Sequence, residues 1–294
     1  MPRRRRAAND EPQLLRRKAD IRLRIAQELA ENDLLEEAIR QYEVAVELDA
    51  NNPDARTGLG DAYAAAEKPV EAYRAFTKAL ALQPRHAEAH FSLGEFFIGL
   101  GRMRAAVRAI QRAVDCRPDR HYFVYRLGEV QARLGDLASA CANISRAVNM
   151  QPEDGFYHFK LGDVYFRLGR LEEAVQEYQA AISCAPLDEF YHLRLAAAYM
   201  RQEQPEAALA MFERAALLCP ENYAYQFLLA ECHAALGHEE RAEVCFTQAG
   251  ELSDYDRDYV RRVRARCAGS IDEADDFEAH GAAEVCPQGL AEER

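Results

Sequence analysis

Aromatic rings and cations recur in this 294-residue chain at steps of 34 residues. Tyr122, Phe156 and Phe190 make one row, Tyr125, Phe159 and Leu193 a second, and Phe166 and Met200 a third. Beside them run Arg126, Lys160 and Arg194, and then Arg133, Arg167 and Arg201. Rings supply apolar anchors and cations pair with anions, so this pattern points to noncovalent capture of a segment bearing apolar and acidic groups. Bond-making patterns do not accompany it. There is no phosphate-cradling glycine loop, no HExxH and no convergent serine, histidine and aspartate group. His158 and His192 stand one repeat apart, too far to share a zinc ion. No catalysis and no cofactor are expected.

The elements that carry these rows are short amphipathic helices. In Gly155 to Pro186, apolar residues Phe159, Leu161, Val164, Tyr165 and Leu168 fall at three- and four-residue steps, the period of one helix face. Gly169 can take a left-handed backbone and stop that helix. Leu171, Ala174, Val175, Tyr178, Ala181 and Ile182 then repeat the pattern until Pro186, which ends it. Two helices of about fourteen residues cannot bury an apolar stripe on each other alone, so the hairpin needs neighbours.

Neighbours are present. Prolines recur at 84, 118, 152, 186 and 220, and units starting at 19, 53, 87, 121, 155, 189 and 223 align without insertion. Within them position 7 is leucine or isoleucine, position 8 is glycine or alanine, positions 20 and 27 are always alanine, and position 24 is Tyr, Phe or Ile. Over residues 19–256 the pattern resembles the tetratricopeptide repeat family. The resemblance implies an all-α, right-handed superhelical solenoid of seven 34-residue helix-turn-helix repeats; the residues that follow, with Tyr259, Val260 and Val263 on an apolar edge and arginines facing away, read as a capping helix at 257–268. The seventh unit ends at Asp254 in place of proline, so the array is expected to run straight into a final helix. The tryptophan usual at position 4 is absent, with Arg22, Arg56, His90, Val124, His158, His192 and Gln226 in its place, the histidines read as fillers of that layer. In the turns before Pro69 and Pro205 glycine is missing, and proline's fixed angle is expected to supply the stop.

Each helical residue is turned about 100° from the last. Positions 2, 5, 6, 9, 12 and 13 of the first helix therefore lie opposite the packing face, on the side that the resemblance assigns to a concave, ligand-lining surface. There Tyr122, Tyr125, Phe156, Phe159, Phe166, Phe190 and Met200 are expected to form an apolar ladder, thinned toward Phe91, Ile98 and Phe227, with Arg126, Arg133, Lys160, Arg167, Arg194 and Arg201 beside it. Glu129 and Asp163 lie four residues before Arg133 and Arg167 and would pair with them along the helix. Ala197 gives Arg194 and Arg201 no such partner, which marks them, with Arg167, as the anion-contacting group. In the second repeat the same face reads Asp54, Thr57, Gly58, Asp61, Ala64 and Ala65. The partner implied is a protein or peptide with acidic and aromatic residues. Two or three buried anchors at about 1.5–3 kcal/mol each, less ordering costs, correspond to roughly micromolar affinity.

A net charge of −12 disfavours general nucleic-acid binding, and Glu95, Glu129, Asp163 and Glu231 in the groove oppose a single-stranded RNA reading. Residues 1–18 are basic and read as a tail leading into a first helix that starts near Pro12; residues 269–294 are acidic and read as disordered. Asp272, Glu273, Asp275, Asp276, Phe277 and Glu278 have the composition the groove would accept, so self-occupation is an alternative. Eight cysteines without a CxxC pair, no apolar run of about 18 residues and no apolar core after the N-terminal arginines lead to the expectation of a cytoplasmic protein.

Overall fold

A computed structural model of the chain describes residues 2–252, with side chains from 12 to 249, and these form α-helices without a strand. The segments at 257–268 and 269–294 lie outside the described residues. The chain divides into two compact units, 1–143 and 144–294. The first holds α1 (Pro2–Glu31), α2 (Leu35–Leu48), α3 (Pro53–Ala65), α4 (Pro69–Leu82), α5 (Ala87–Gly99), α6 (Met103–Cys116), α7 (His121–Arg133) and the start of α8 (Leu137–Met150). The second holds the rest of α8, α9 (Gly155–Arg167), α10 (Leu171–Cys184), α11 (Glu189–Arg201), α12 (Pro205–Leu218), α13 (Tyr223–Ala235) and α14 (Glu239–Leu252). Within each unit a helix packs on its hairpin partner and on the hairpin that follows. Helix α1 reaches back to Pro2 and carries Pro12 inside it, earlier than the proline signal suggests. No described helix is long and apolar enough to cross a membrane.

One turn closes every hairpin. Gly101, Gly135, Gly169 and Gly237 have φ between 69° and 83°, and the following amide reaches back five residues, as in Arg102 to Phe97 O (2.8 Å) and Arg170 to Tyr165 O (2.9 Å). That is the hydrogen-bond pattern of a left-handed helix cap. Asp33, Glu67 and Glu203 adopt the same conformation without being glycine, with φ of 61°, 56° and 57°. The stop before Pro69 and Pro205 is therefore made by Glu67 and Glu203. Proline's φ suits the first turn of α4 and α12 but cannot turn the preceding amides back toward α3 and α11.

The other ends are capped by side chains. Asn52, Asp154, Asp188 and Asn222 accept a backbone N–H of the first helical turn that follows, and His86 Nδ1 does the same from Ala89 N. Position 4, where tryptophan is missing, secures the preceding loop. His90, His158 and His192 bond through Nε2 to the carbonyls of Pro84, Pro152 and Pro186 at 2.9, 3.1 and 3.1 Å, and Arg56 donates to Ala50 O at 2.8 Å. They fill space as expected and also bond carbonyls of the loop that follows the ended helix.

Tight packing explains the small residues. The alanines at positions 20 and 27 are buried in every repeat. A Cβ placed on Gly162 would stand 2.7 Å from the ring of Tyr178, which is fully buried, so the aromatic at position 24 needs a small residue at position 8.

Candidate functional site

In the second unit α9 and α11 present the residues that remain open. Phe156, Phe190 and Met200 are 37–39% exposed. Lys160 lies over two rings, its ammonium 5.3 Å from the centroid of Phe156 and 5.6 Å from that of Phe159. Arg201 is exposed; it donates to Phe166 O at 3.2 Å, and its guanidinium sits 4.6 Å from the Phe166 centroid. Arg167 is half-buried on the same helix as Lys160. The surface thus joins apolar side chains to cations.

Several expected site residues are elsewhere. Phe166 is fully buried beneath Arg194 and Arg201, and Phe159 is half-buried against Tyr178 and Tyr191, with centroids 6.1 and 5.0 Å away. Arg194 is not an open anion contact. It is 9% exposed and donates through Nε to Asp163 Oδ1 at 2.8 Å. Tyr178 donates to the same oxygen at 2.7 Å. Burial first, and then the charge of Asp163, push the Tyr178 phenol well above its ordinary value, so it remains a donor. The acidic partner that holds Arg194 lies 31 residues back, in the preceding repeat.

The first unit repeats this device. Arg126 lies between Glu95, 31 residues earlier, and Glu129, with Nε to Glu95 Oε1 at 3.0 Å. Burial lowers the Arg126 guanidinium pKa, and the two carboxylates outweigh it, raising it overall. Arg133 reaches Glu129 at 4.0 Å. Tyr122 is 47% exposed beside Phe91, whereas Tyr125 is buried, which corrects its place in the open ladder. The Tyr122 ring lies beside it, with centroids 6.2 Å apart.

Two features escaped the periodicity argument. Position 3 carries Phe123, Tyr157, Tyr191 and Tyr225, all buried, and Phe91 stacks on Phe123 with centroids 4.4 Å apart. Four aromatic residues in successive copies of one position were the available signal. The second is the bond from position 9 of one repeat to position 6 of the next: Asp61 to Ser92, Glu95 to Arg126, and Asp163 to Arg194. Its signal is complementarity at a separation of 31 residues, which a wheel drawn on one helix does not display.

Comparison with solved structures places this architecture among known helical repeats. The C-terminal part of a TPR repeat-containing protein from Cytophaga hutchinsonii matches with a TM-score of 0.69 at 16% identity, covering 81% of this chain and 98% of that one. PilF of Pseudomonas aeruginosa matches with a TM-score of 0.61 at 20% identity, covering 73% and 98%. YrrB, described as a TPR protein with an unusual peptide-binding site, matches with a TM-score of 0.55 at 21% identity, covering 62% and 93%. No curated protein sequence matches. Family profiles described as tetratricopeptide repeat match residues 57–121, 97–148, 125–189 and 199–267, and one described as TPR repeat matches 27–66. With the repeated hairpins, their common turn and these matches in agreement, the chain belongs to the tetratricopeptide repeat family.

Proposed function

We propose that this chain is a non-catalytic, cytoplasmic interaction scaffold or adaptor whose α9–α11 surface holds a partner segment carrying apolar and acidic residues. Tetratricopeptide repeats support a protein-interaction role in general. The observation that carries the finer reading is the row of Phe156, Phe190 and Met200, each left over a third exposed, with Lys160 and Arg201 alongside. Exposed apolar groups rimmed by cations cost solubility unless a partner covers them. Phe156 and Phe190 supply anchors, Lys160 and Arg201 supply charge, and Arg167 stands within the same face. Arg194 lies over the same Phe166 ring as Arg201 and, held by Asp163, belongs to the framework. YrrB's description as a peptide binder is compatible with this reading without fixing the segment bound here.

The test is affinity capture from the native host with the full chain, the wild type compared with a Lys160→Glu/Arg201→Glu variant and with a Phe156→Ser/Phe190→Ser variant, bound proteins being read by mass spectrometry. Both variants keep the helical circular dichroism signal and lose the main partner by tenfold or more, about 1.4 kcal/mol. Retention of that partner by both variants overturns the reading.

A further inference from the structure

We propose that a cleft between α3 and α5, in the first unit, receives one basic side chain, arginine or lysine, of a bound protein segment. The cleft has a volume of about 470 Å³, and Asp61, Ala64, Pro69, Ser92, Phe96 and Leu100 line it. A carboxylate set beside aliphatic and aromatic walls suits a side chain with an apolar stem and a charged head. Ala64, Pro69, Phe96 and Leu100 accept the stem, and Asp61 accepts the head.

The repeat itself supplies the reason for a cation here. Wherever Glu95 or Asp163 occupies position 9, the next repeat places an arginine against it, Arg126 or Arg194. Opposite Asp61 the same position is Ser92, whose hydroxyl donates to Asp61 Oδ2 at 3.1 Å. A short hydroxyl stands where Arg126 and Arg194 place a guanidinium in the fourth and sixth repeats, so the Asp61 carboxylate has a hydrogen bond without an opposing charge, and the space beside it is the cleft. A partner's basic side chain completes the pattern from outside.

The electrostatics agree in direction. The surrounding protein pushes the Asp61 carboxyl up to about 7, against the lowering effect of Ser92. Asp61 is exposed at the cleft surface, and solvent tempers that shift. Its charged and titratable surroundings are Glu95, held by Arg126, Glu67 in the turn after α3, and Tyr42 on α2. The Tyr42 phenol, pushed up to about 12 by burial and then by Asp61, stays neutral. A cation arriving at Asp61 favours its ionised form, so binding strengthens as pH rises through the Asp61 titration.

The experiment is a titration of the isotope-labelled full chain with N-acetyl-arginine methylamide, followed by amide shifts, with N-acetyl-citrulline methylamide as the uncharged control. The arginine probe shifts the Asp61, Ser92 and Leu100 amides with millimolar affinity, and the citrulline probe does so at least about tenfold more weakly. Ser92→Arg, which supplies the cation within the chain, abolishes the response while keeping the fold; Leu217→Ser, at an exposed position in the other unit, leaves it unchanged. Equal responses to the two probes, or an undiminished response in Ser92→Arg, overturn the proposal. Its failure leaves the α9–α11 reading standing, because the capture variants there touch none of these residues.

Discussion

Asp163 shows how much a single carboxylate does in this protein. One oxygen accepts from the Tyr178 hydroxyl and from Arg194 Nε, so it ties the second helix of one repeat to the first helix of the next. Arg194 in turn covers the buried ring of Phe166, with its guanidinium 5.0 Å from the centroid. Asp163→Ala leaves a buried guanidinium and a buried phenol without their acceptor, a loss of about 2–4 kcal/mol in urea unfolding. Asp163→Asn keeps one acceptor oxygen and loses less. Sequence alone made Arg194 an open anion contact because it considered pairs four residues apart on one helix. The pair at 31 residues needs the hairpins to be stacked before it exists, and for that reason the most buried cation of the expected site was misassigned while exposed Phe156, Phe190 and Met200 were legible from period alone.

Among the elements, the turn between paired helices is the most uniform and the most informative. Its left-handed residue is glycine in four hairpins and Asp33, Glu67 or Glu203 in three. A side chain in that conformation carries roughly 1–2 kcal/mol of steric strain, offset in part by the smaller entropy of a residue other than glycine in the unfolded chain. Glu203→Gly is therefore expected to raise stability by about 0.5–1 kcal/mol, read as a shift in the thermal midpoint, and Gly169→Ala to lower it by about 1 kcal/mol. Unchanged midpoints in both variants would contradict the shared geometry. The helices and their ends were legible because glycine, proline and the apolar period each mark a local event. The identity of the stopping residue at 67 and 203 was not, since a conspicuous proline two residues later drew the assignment away from a glutamate whose type carries no turn signal.

At the scale of the whole molecule, stability is distributed by neighbour contacts. In the second unit α10 packs on α9 and on α11, and α12 on α11 and on α13, so each hairpin depends on the one beside it. Such an array behaves as a chain of coupled units in which damage is felt locally and fades with distance. Gly162 offers a clean place to apply that damage, because its missing Cβ would meet the Tyr178 ring at 2.7 Å and the ring is enclosed on all sides. Gly162→Val overfills the contact and destabilises the α9–α10 hairpin by about 1–3 kcal/mol. Native-state hydrogen exchange resolves where that loss goes: amides of α9 and α10 lose the most protection, α11 less, and α13 least. Uniform loss from α9 to α14 would mean that the unit opens as one cooperative body, and the exposed row on α9 and α11 would then rest on the whole unit and not on its two nearest hairpins. A graded loss means that a partner spanning Phe156 and Phe190 bridges two separately opening hairpins, so binding slows exchange in both at once.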